Sequence, residues 1–266
     1  MVQVARLLAL VSAAPLVVAS ALLPPHKCPV VDTSIVAHTG AAVGKVKDVE
    51  GVDLYITGPK KSKTAVLYLT DVFGIQLNEN KLLADSFGRA GFLTVAPDMF
   101  QGQPAPGDIN GTPDFDLEQF LYDHRPEITD PIIASTINYM RDTLKVEKIA
   151  ITGYCFGGRY SFRFIADGKG GDVGFAAHPS LLENPEVEAI TKPISVAAAQ
   201  NDDLLPAPAR HALEDLLMST GQEATFATYG GTQHGFGVRA NVTDPRQKFA
   251  KEEAFIQAVR FFQNWV

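Results

Sequence analysis

The sequence predicts an α/β protein, built as a mostly parallel sheet with helices on both faces. Three observations carry this. Short, continuously apolar runs such as 64–69, 92–96 and 148–152 alternate with longer amphipathic stretches, the alternation of a βα series. Runs that are apolar at every position, not every second one, suit strands covered on both sides. One of these strands runs through a glycine-rich turn, Gly153-Tyr154-Cys155-Phe156-Gly157-Gly158, straight into a helical stretch. The whole chain, with 46% hydrophobic and 20% charged residues over 266 positions, has the balance of a single large α/β domain and excludes wholesale disorder.

The elements follow in order. Residues 1–23 place one basic residue, Arg6, before an apolar stretch that ends in Ala19-Ser20-Ala21. That is the pattern of a secretory signal peptide, so 1–21 is expected to be removed and 22–266 to form one domain, secreted and free of the membrane. Pro15, Ser12 and Ser20 interrupt the run and argue against a membrane anchor. Two sequons, at Asn110 and Asn241, fit a secretory route as glycosylation acceptors.

After an irregular lead-in containing Cys28, residues 43–49 and 52–56 flank Glu50-Gly51 and read as an antiparallel hairpin. Strands are expected at 64–69, 92–96, 148–152, 173–177, 194–199 and 224–229. Helices are expected at 78–90, 129–144, 156–166, 207–220 and 245–265. Residues 101–115 hold three glycines and three prolines without periodicity and read as a long loop. There is no internal repeat and no linker long enough to divide the chain.

A net charge of −7 argues against a nucleic-acid partner, and no polybasic patch serves a membrane surface. Two cysteines, Cys28 and Cys155, make no disulfide framework, and no Cys/His cluster has zinc spacing. Cys28 is expected to be a free, dispensable thiol. No metal or organic cofactor is implied.

The chemistry centres on Cys155. Gly-x-Cys-x-Gly between a strand and a helix is the nucleophile elbow with sulfur in place of a hydroxyl. The flanking glycines relieve a tight turn, and the helix N-terminus favours a thiolate. The alternative is a buried structural cysteine beside a glycine-rich turn. A thiolate needs a base and an orienting acid. His234 lies in Gly230-Gly231-Thr232-Gln233-His234-Gly235-Phe236, read as a loop after the last strand. It can therefore reach the carboxyl edge of the sheet, where ligands bind in open α/β folds. His178, at the end of its own strand, is the rival. The acid is expected after the strand 194–199, where Asp202 and Asp203 are both candidates; the bland reading makes the pair a helix N-cap cluster before Ala207.

With these residues the chain resembles the dienelactone hydrolase family (carboxymethylenebutenolidases) of the α/β-hydrolase fold, in its fungal-type branch, from about residue 24 to 266. The resemblance rests on Gly153-Tyr-Cys-Phe-Gly157, on Asp202-Asp-Leu-Leu-Pro-Ala-Pro-Ala-Arg210, on His234-Gly-Phe and on Asp71-Val-Phe-Gly74. It implies a Cys155–Asp202–His234 triad, with Pro206 selecting Asp202 over Asp203. It implies an oxyanion hole from the backbone N–H groups of Phe156 and Val72. Asp71 stands where bacterial members carry a Glu that takes the thiol proton at rest. Arg239 stands one position later than the family's arginine for a substrate carboxylate. Arg125 and Arg159 are further candidates for a second such arginine.

The function implied is hydrolysis of small esters or lactones. Two other readings stand beside it. A catalytically inactive secreted binding protein would be expected to have lost a triad member. A glycan hydrolase would need two carboxylates flanking a cleft, for which Asp71 and Asp202 could be proposed.

Overall fold

The computed structural model describes residues 35–109 and 111–266; the expected leader 1–21, Cys28 and Asn110 lie outside the described residues. Eight strands form one sheet in the order β1-β2-β4-β3-β5-β6-β7-β8. The expected hairpin is present as β1 (Lys45–Val49) and β2 (Val52–Thr57). β2 lies antiparallel to β4 (Leu93–Pro97), and from there every pairing is parallel: β4 with β3 (Thr64–Leu69), then β5 (Lys148–Tyr154), β6 (Val173–Ala177), β7 (Ile194–Asn201) and β8 (Ala224–Gln233). This is the mostly parallel α/β-hydrolase architecture the sequence predicts.

Side chains alternate across each strand and so build two cores. Tyr68, Tyr154 and Phe175 point to one face. Their rings pack in sequence, Tyr68 stacked on Tyr154 at 5.1 Å and Tyr154 tilted against Phe175 at 6.2 Å. Phe175 then meets Phe262 of α8 (Pro245–Trp265), and Phe87 of α1 (Asn78–Arg89) meets Phe255 of α8 at 4.8 Å. Leu67, Leu69, Ile149 and Ile151 belong to the other face, buried with Ile133 and Met140 of α3 (Pro126–Asp142) and with Phe162 of α4 (Phe156–Arg163). Each fully buried side chain of this size contributes about 1.5–3 kcal/mol by leaving water. Among the described residues no helix is long and apolar enough to cross a membrane.

Three short helices depart from the expected elements. α2 (Leu117–Asp123) follows the long loop, α5 (Asn184–Glu188) follows β6, and α7 (Phe236–Arg239) follows β8. α3 begins at Pro126, three residues before the expected start, because proline suits the first helical position, where no N–H partner is needed. α6 (Ala207–Ser219) lies where expected. The segment 230–233, read from sequence as loop, continues β8. Gly231 takes φ +72, and the pairing with β7 shifts register between Ala199 and Asn201, so the strand resumes beyond the glycines.

Candidate active site

The carboxyl ends of β3, β5, β6, β7 and β8 converge, and the expected site residues sit there, on five separate connections. Cys155 is the first residue past β5 and the N-cap of α4. Its backbone takes φ +52 and ψ −114, a strained conformation for a residue with a side chain. The turn is held from both sides: Cys155 N donates to Ala177 O at 3.1 Å, and Gly157 N donates to Thr70 O at 3.0 Å. A methyl group on Gly153 would collide with the Gly157 oxygen, and one on Gly157 would collide with the Leu69 oxygen. No residue but glycine fits at either place.

Asp202 follows β7 and is buried, whereas Asp203 is exposed. Arg210 of α6 donates to the carbonyls of Ala199 and Gln200 and fixes the end of the strand. The Asp202 carboxylate accepts from the N–H of Leu204 and of Leu205, and lies 2.9 and 3.0 Å from His234 Nδ1. The aspartate pair caps no helix; Pro206 holds the N-cap of α6. His234 is the first residue beyond β8. Burial of its ring opposes a charge. The hydrogen bond with Asp202, and the sulfur of Cys155 close to the ring, outweigh that and carry the imidazole up to about 10. Nε2, the nitrogen turned from Asp202, is buried and among the described residues has no partner of ordinary hydrogen-bond geometry.

His178 is the first residue past β6 and stands edge-on to His234, ring centroids 5.1 Å apart. It is fully buried, and among the described residues neither ring nitrogen has a hydrogen-bond partner. Burial, then repulsion from His234 and Arg239, hold it well below the usual histidine range, so it is neutral. It forms a wall beside His234 and makes no hydrogen bond to Asp202. His38 pairs with Glu252, His124 binds the Phe120 carbonyl, and His211 lies exposed on α6.

Asp71 and Arg239 meet each other. Arg239 Nε donates to Asp71 Oδ2 at 3.1 Å, and its guanidinium lies 4.6 Å over the Phe73 ring. Oδ1 of Asp71 accepts from Asn80 at 2.8 Å and from Phe73 N at 3.2 Å, and Asn80 accepts from Tyr68. Burial pushes the Asp71 carboxyl above the ordinary range, against the pull of Arg239 and these donors. Among the described residues none of its hydrogen bonds goes to Cys155. Arg239 lies on the short helix α7, not on a loop. Arg125 and Arg159 are committed elsewhere: Arg125 stacks on Tyr122 at 4.3 Å, and Arg159 pairs with Glu183 and Glu186. With Asp202 on His234 and Asp71 on Arg239, the two carboxylates do not flank an open cleft.

Cys155, His234 and Arg239 open into a cavity of about 390 Å³, within the size range of small-molecule sites. Its walls are apolar, from Val72, Phe73, Ile109, Leu121, Leu181 and Leu204, with Asp108 and Ser180 among the polar groups. The loop expected at 101–115 therefore supplies part of the wall. α2 supplies Leu117 and Leu121. The sequence signal for that helix was present in Asp116, which caps it, and in the spacing of Leu117, Phe120 and Leu121. Ser180 is the residue that sequence reasoning missed entirely; its hydroxyl lies 3.6 Å from Cys155 Sγ. Among the described residues the N–H groups of Val72 and Phe156 make no hydrogen bond to a protein acceptor. No three His, Cys, Asp or Glu side chains among the described residues converge as a metal would require.

Comparison with known proteins adds the relationship. A family model described as the dienelactone hydrolase family matches residues 52–266. The chain is 36% identical over 246 residues to hydrolase pyvD of Aspergillus violaceofuscus, covering 92% of this chain and 98% of that protein. It is 34% identical over 239 residues to hydrolase tropI of Talaromyces stipitatus, covering 86% of this chain and 93% of that one. Among solved structures, a protein of Klebsiella pneumoniae assigned as a dienelactone hydrolase superposes with a TM-score of 0.68 at 16% identity, over 85% of this chain and 100% of the other. That last likeness is one of fold.

Proposed function

The chain belongs to the dienelactone hydrolase family and is a hydrolase of carboxylic esters or lactones, and on that premise we propose that it works through a cysteine nucleophile, with Cys155, His234 and Asp202 as its triad. The observation that carries the proposal is the contrast at His234. One ring nitrogen is bound to a buried carboxylate, and the ring, pushed up to about 10, stands beside the sulfur of a strained elbow cysteine. In this reading Cys155 reacts as the thiolate, the nucleophilic form, with the imidazole of His234 beside it to carry the proton.

The thiolate attacks the acyl carbon. The carbonyl electron pair moves onto oxygen, which the N–H groups of Val72 and Phe156 receive; each such donor contributes about 3–4 kcal/mol in the transition state. Collapse expels the alkoxide, which takes its proton from His234 Nε2 and leaves a thioester on Cys155. Neutral His234 then removes a proton from water, the hydroxide adds to the thioester, and collapse returns thiolate and imidazolium. Asp202 keeps the ring in one tautomer throughout. An ester gives an acid and an alcohol; a lactone gives one hydroxy acid. A thiolate leaves a tetrahedral intermediate more readily than an amide nitrogen does, so enol esters and lactones are better substrates than amides.

Arg239 gives this site a preference for an anionic substrate. Its Nε is occupied by Asp71, while the rest of the guanidinium borders the cavity and can donate to a carboxylate through two N–H groups. Asp71, in this reading, anchors that arginine. The leader-like residues 1–21 and the two sequons support export, with glycans at Asn110 and Asn241; Asn241 is exposed, and its side-chain oxygen accepts from the Thr243 hydroxyl. N-terminal sequencing of the exported protein should then begin at Leu22; exported protein that retains residues 1–21 would overturn that part.

The test of the activity is a panel of p-nitrophenyl esters and small lactones, run with and without iodoacetamide. Hydrolysis is expected for the activated esters and lactones and is lost when Cys155 is alkylated. Turnover unaffected by full alkylation of Cys155 would overturn the nucleophile assignment.

A further inference from the structure

The loop that leaves β6 brings Ser180 to Cys155 through two contacts. The hydroxyl of Ser180, a residue buried at 6% exposure, lies 3.6 Å from Cys155 Sγ. Among the described residues this is its one hydrogen-bond contact. The Ser180 N–H also donates to the Cys155 carbonyl at 3.1 Å. Two contacts between the same two residues fix the hydroxyl against the sulfur.

The loop holds this arrangement under strain. His178 takes φ +38 and Leu181 takes φ +60, one on each side of the segment. Both are unfavourable for residues with side chains, and such conformations persist where their surroundings over-determine them. Pro179 sits so close to α4 that a methyl group on Gly158 would lie 2.8 Å from its Cα. The elbow and the β6 loop are therefore built against each other, with Ser180 at the point nearest the sulfur.

We infer that Ser180 is a positioning residue for the Cys155 thiolate, which its hydroxyl holds by donating to the sulfur. The inference rests on the nucleophile reading. In the neutral pair the thiol S–H donates to Ser180 Oγ. When that proton passes to His234 Nε2, the hydroxyl turns and its O–H donates to the charged sulfur. The thiolate then has the imidazolium and the hydroxyl as neighbours, and its remaining lone pairs face the cavity. A donor to the charged form stabilises that form. It also tempers the reactivity of the sulfur slightly, because nucleophilicity falls as thiol acidity rises.

Ser180→Ala and Ser180→Thr test this in the full-length protein. Two profiles are measured against pH: the rate at which iodoacetamide alkylates Cys155, followed by mass of the Cys155 peptide, and kcat/KM for an activated ester. Alanine is expected to move the acid limb of both profiles up by about one pH unit, a loss of about tenfold on that limb, with the alkaline plateau of alkylation kept. Threonine, which keeps the hydroxyl, is expected to restore the limb. An unmoved limb in the alanine variant overturns the inference, and so does a uniform loss at every pH, which would make Ser180 a substrate contact or a packing residue. The same displacement in threonine as in alanine also overturns it. If turnover survives alkylation of Cys155, the nucleophile reading fails instead, and the alkylation profile still reports on Ser180.

Discussion

The loops after β6 and β8 each present a histidine to the same corner of the molecule, and the two rings lie 5.1 Å apart with opposite fates. On the β6 loop, His178 is fully buried, has no partner on either nitrogen among the described residues, and is held well below the usual histidine range. On the β8 loop, His234 is also largely buried, yet its imidazole is pushed up to about 10. Burial acts on both in the same direction. The difference is Asp202, 2.9 Å from one nitrogen of His234, and the sulfur of Cys155 near the other. Burial decides that a histidine is uncharged unless something offsets the cost of the charge, and here the Asp202 carboxylate and the Cys155 sulfur do so for one ring alone.

Removing that partner breaks the contrast most severely. Asp202→Asn strips His234 of its carboxylate partner and of the group that fixes its tautomer, and should lower kcat by about 10⁴-fold. Asp203→Asn, on an exposed side chain, should change kcat less than about twofold. Steady-state kinetics on one activated ester settle the pair, and a reversed order moves the acid to Asp203. The next effect concerns Arg239, whose charge helps to keep His178 neutral. Arg239→Met should cost roughly tenfold or more on a carboxylate-bearing lactone and leave a neutral ester unaffected; equal losses on both, or none, would remove Arg239 from substrate selection.

The smallest effect is on stability. The folded pKa of His178 is depressed, so between pH 7 and 5 the unfolded chain takes up a proton that the fold refuses. Stability contributed by the neutral ring is present above about 6.5 and lost as pH falls below it. His178→Asn, which tolerates the positive φ and does not titrate, should reduce the loss of stability between pH 7 and 5. Urea unfolding of both proteins at the two pH values measures it; identical losses would mean that His178 is charged in the fold. His234 runs the other way: its folded pKa is raised, so its contribution is present below about 6.5 and disappears as pH rises through about 10.

The same two loops separate what was legible in the sequence from what was not. Cys155 could be read because its elbow is contiguous: glycines, cysteine, strand and helix occupy adjacent positions, and local sterics impose that order. Asp202 and His234 could be ordered along the chain because each follows a strand end, although the choice of Asp202 over Asp203 needed the resemblance. Ser180 was illegible. Its contact with Cys155 arises from the pairing of β5 with β6 and from two strained residues, neither of which leaves a pattern in Ala177-His178-Pro179-Ser180. The Tyr68–Asn80–Asp71–Arg239 chain spans 168 residues between its last two members and is likewise a product of packing. Gly230-Gly231 pointed to a loop because paired glycines usually end a strand; here a register shift lets β8 pass through them. The mostly parallel sheet followed from alternation, though its strand order did not; α2 left a signal in Asp116 and the leucine spacing that went unread, while α5 and α7 were too short for periodicity to mark.

The central claim is that acyl transfer passes through the sulfur of Cys155. Rapid acid quench during turnover of an activated ester, followed by peptide mass analysis, tests it directly. The account predicts an acyl increment on the peptide containing Cys155 during the steady state, and neither increment nor hydrolysis in a Cys155→Ala protein with unchanged circular dichroism. Full activity in that variant, or an acyl group found on another residue, would contradict it.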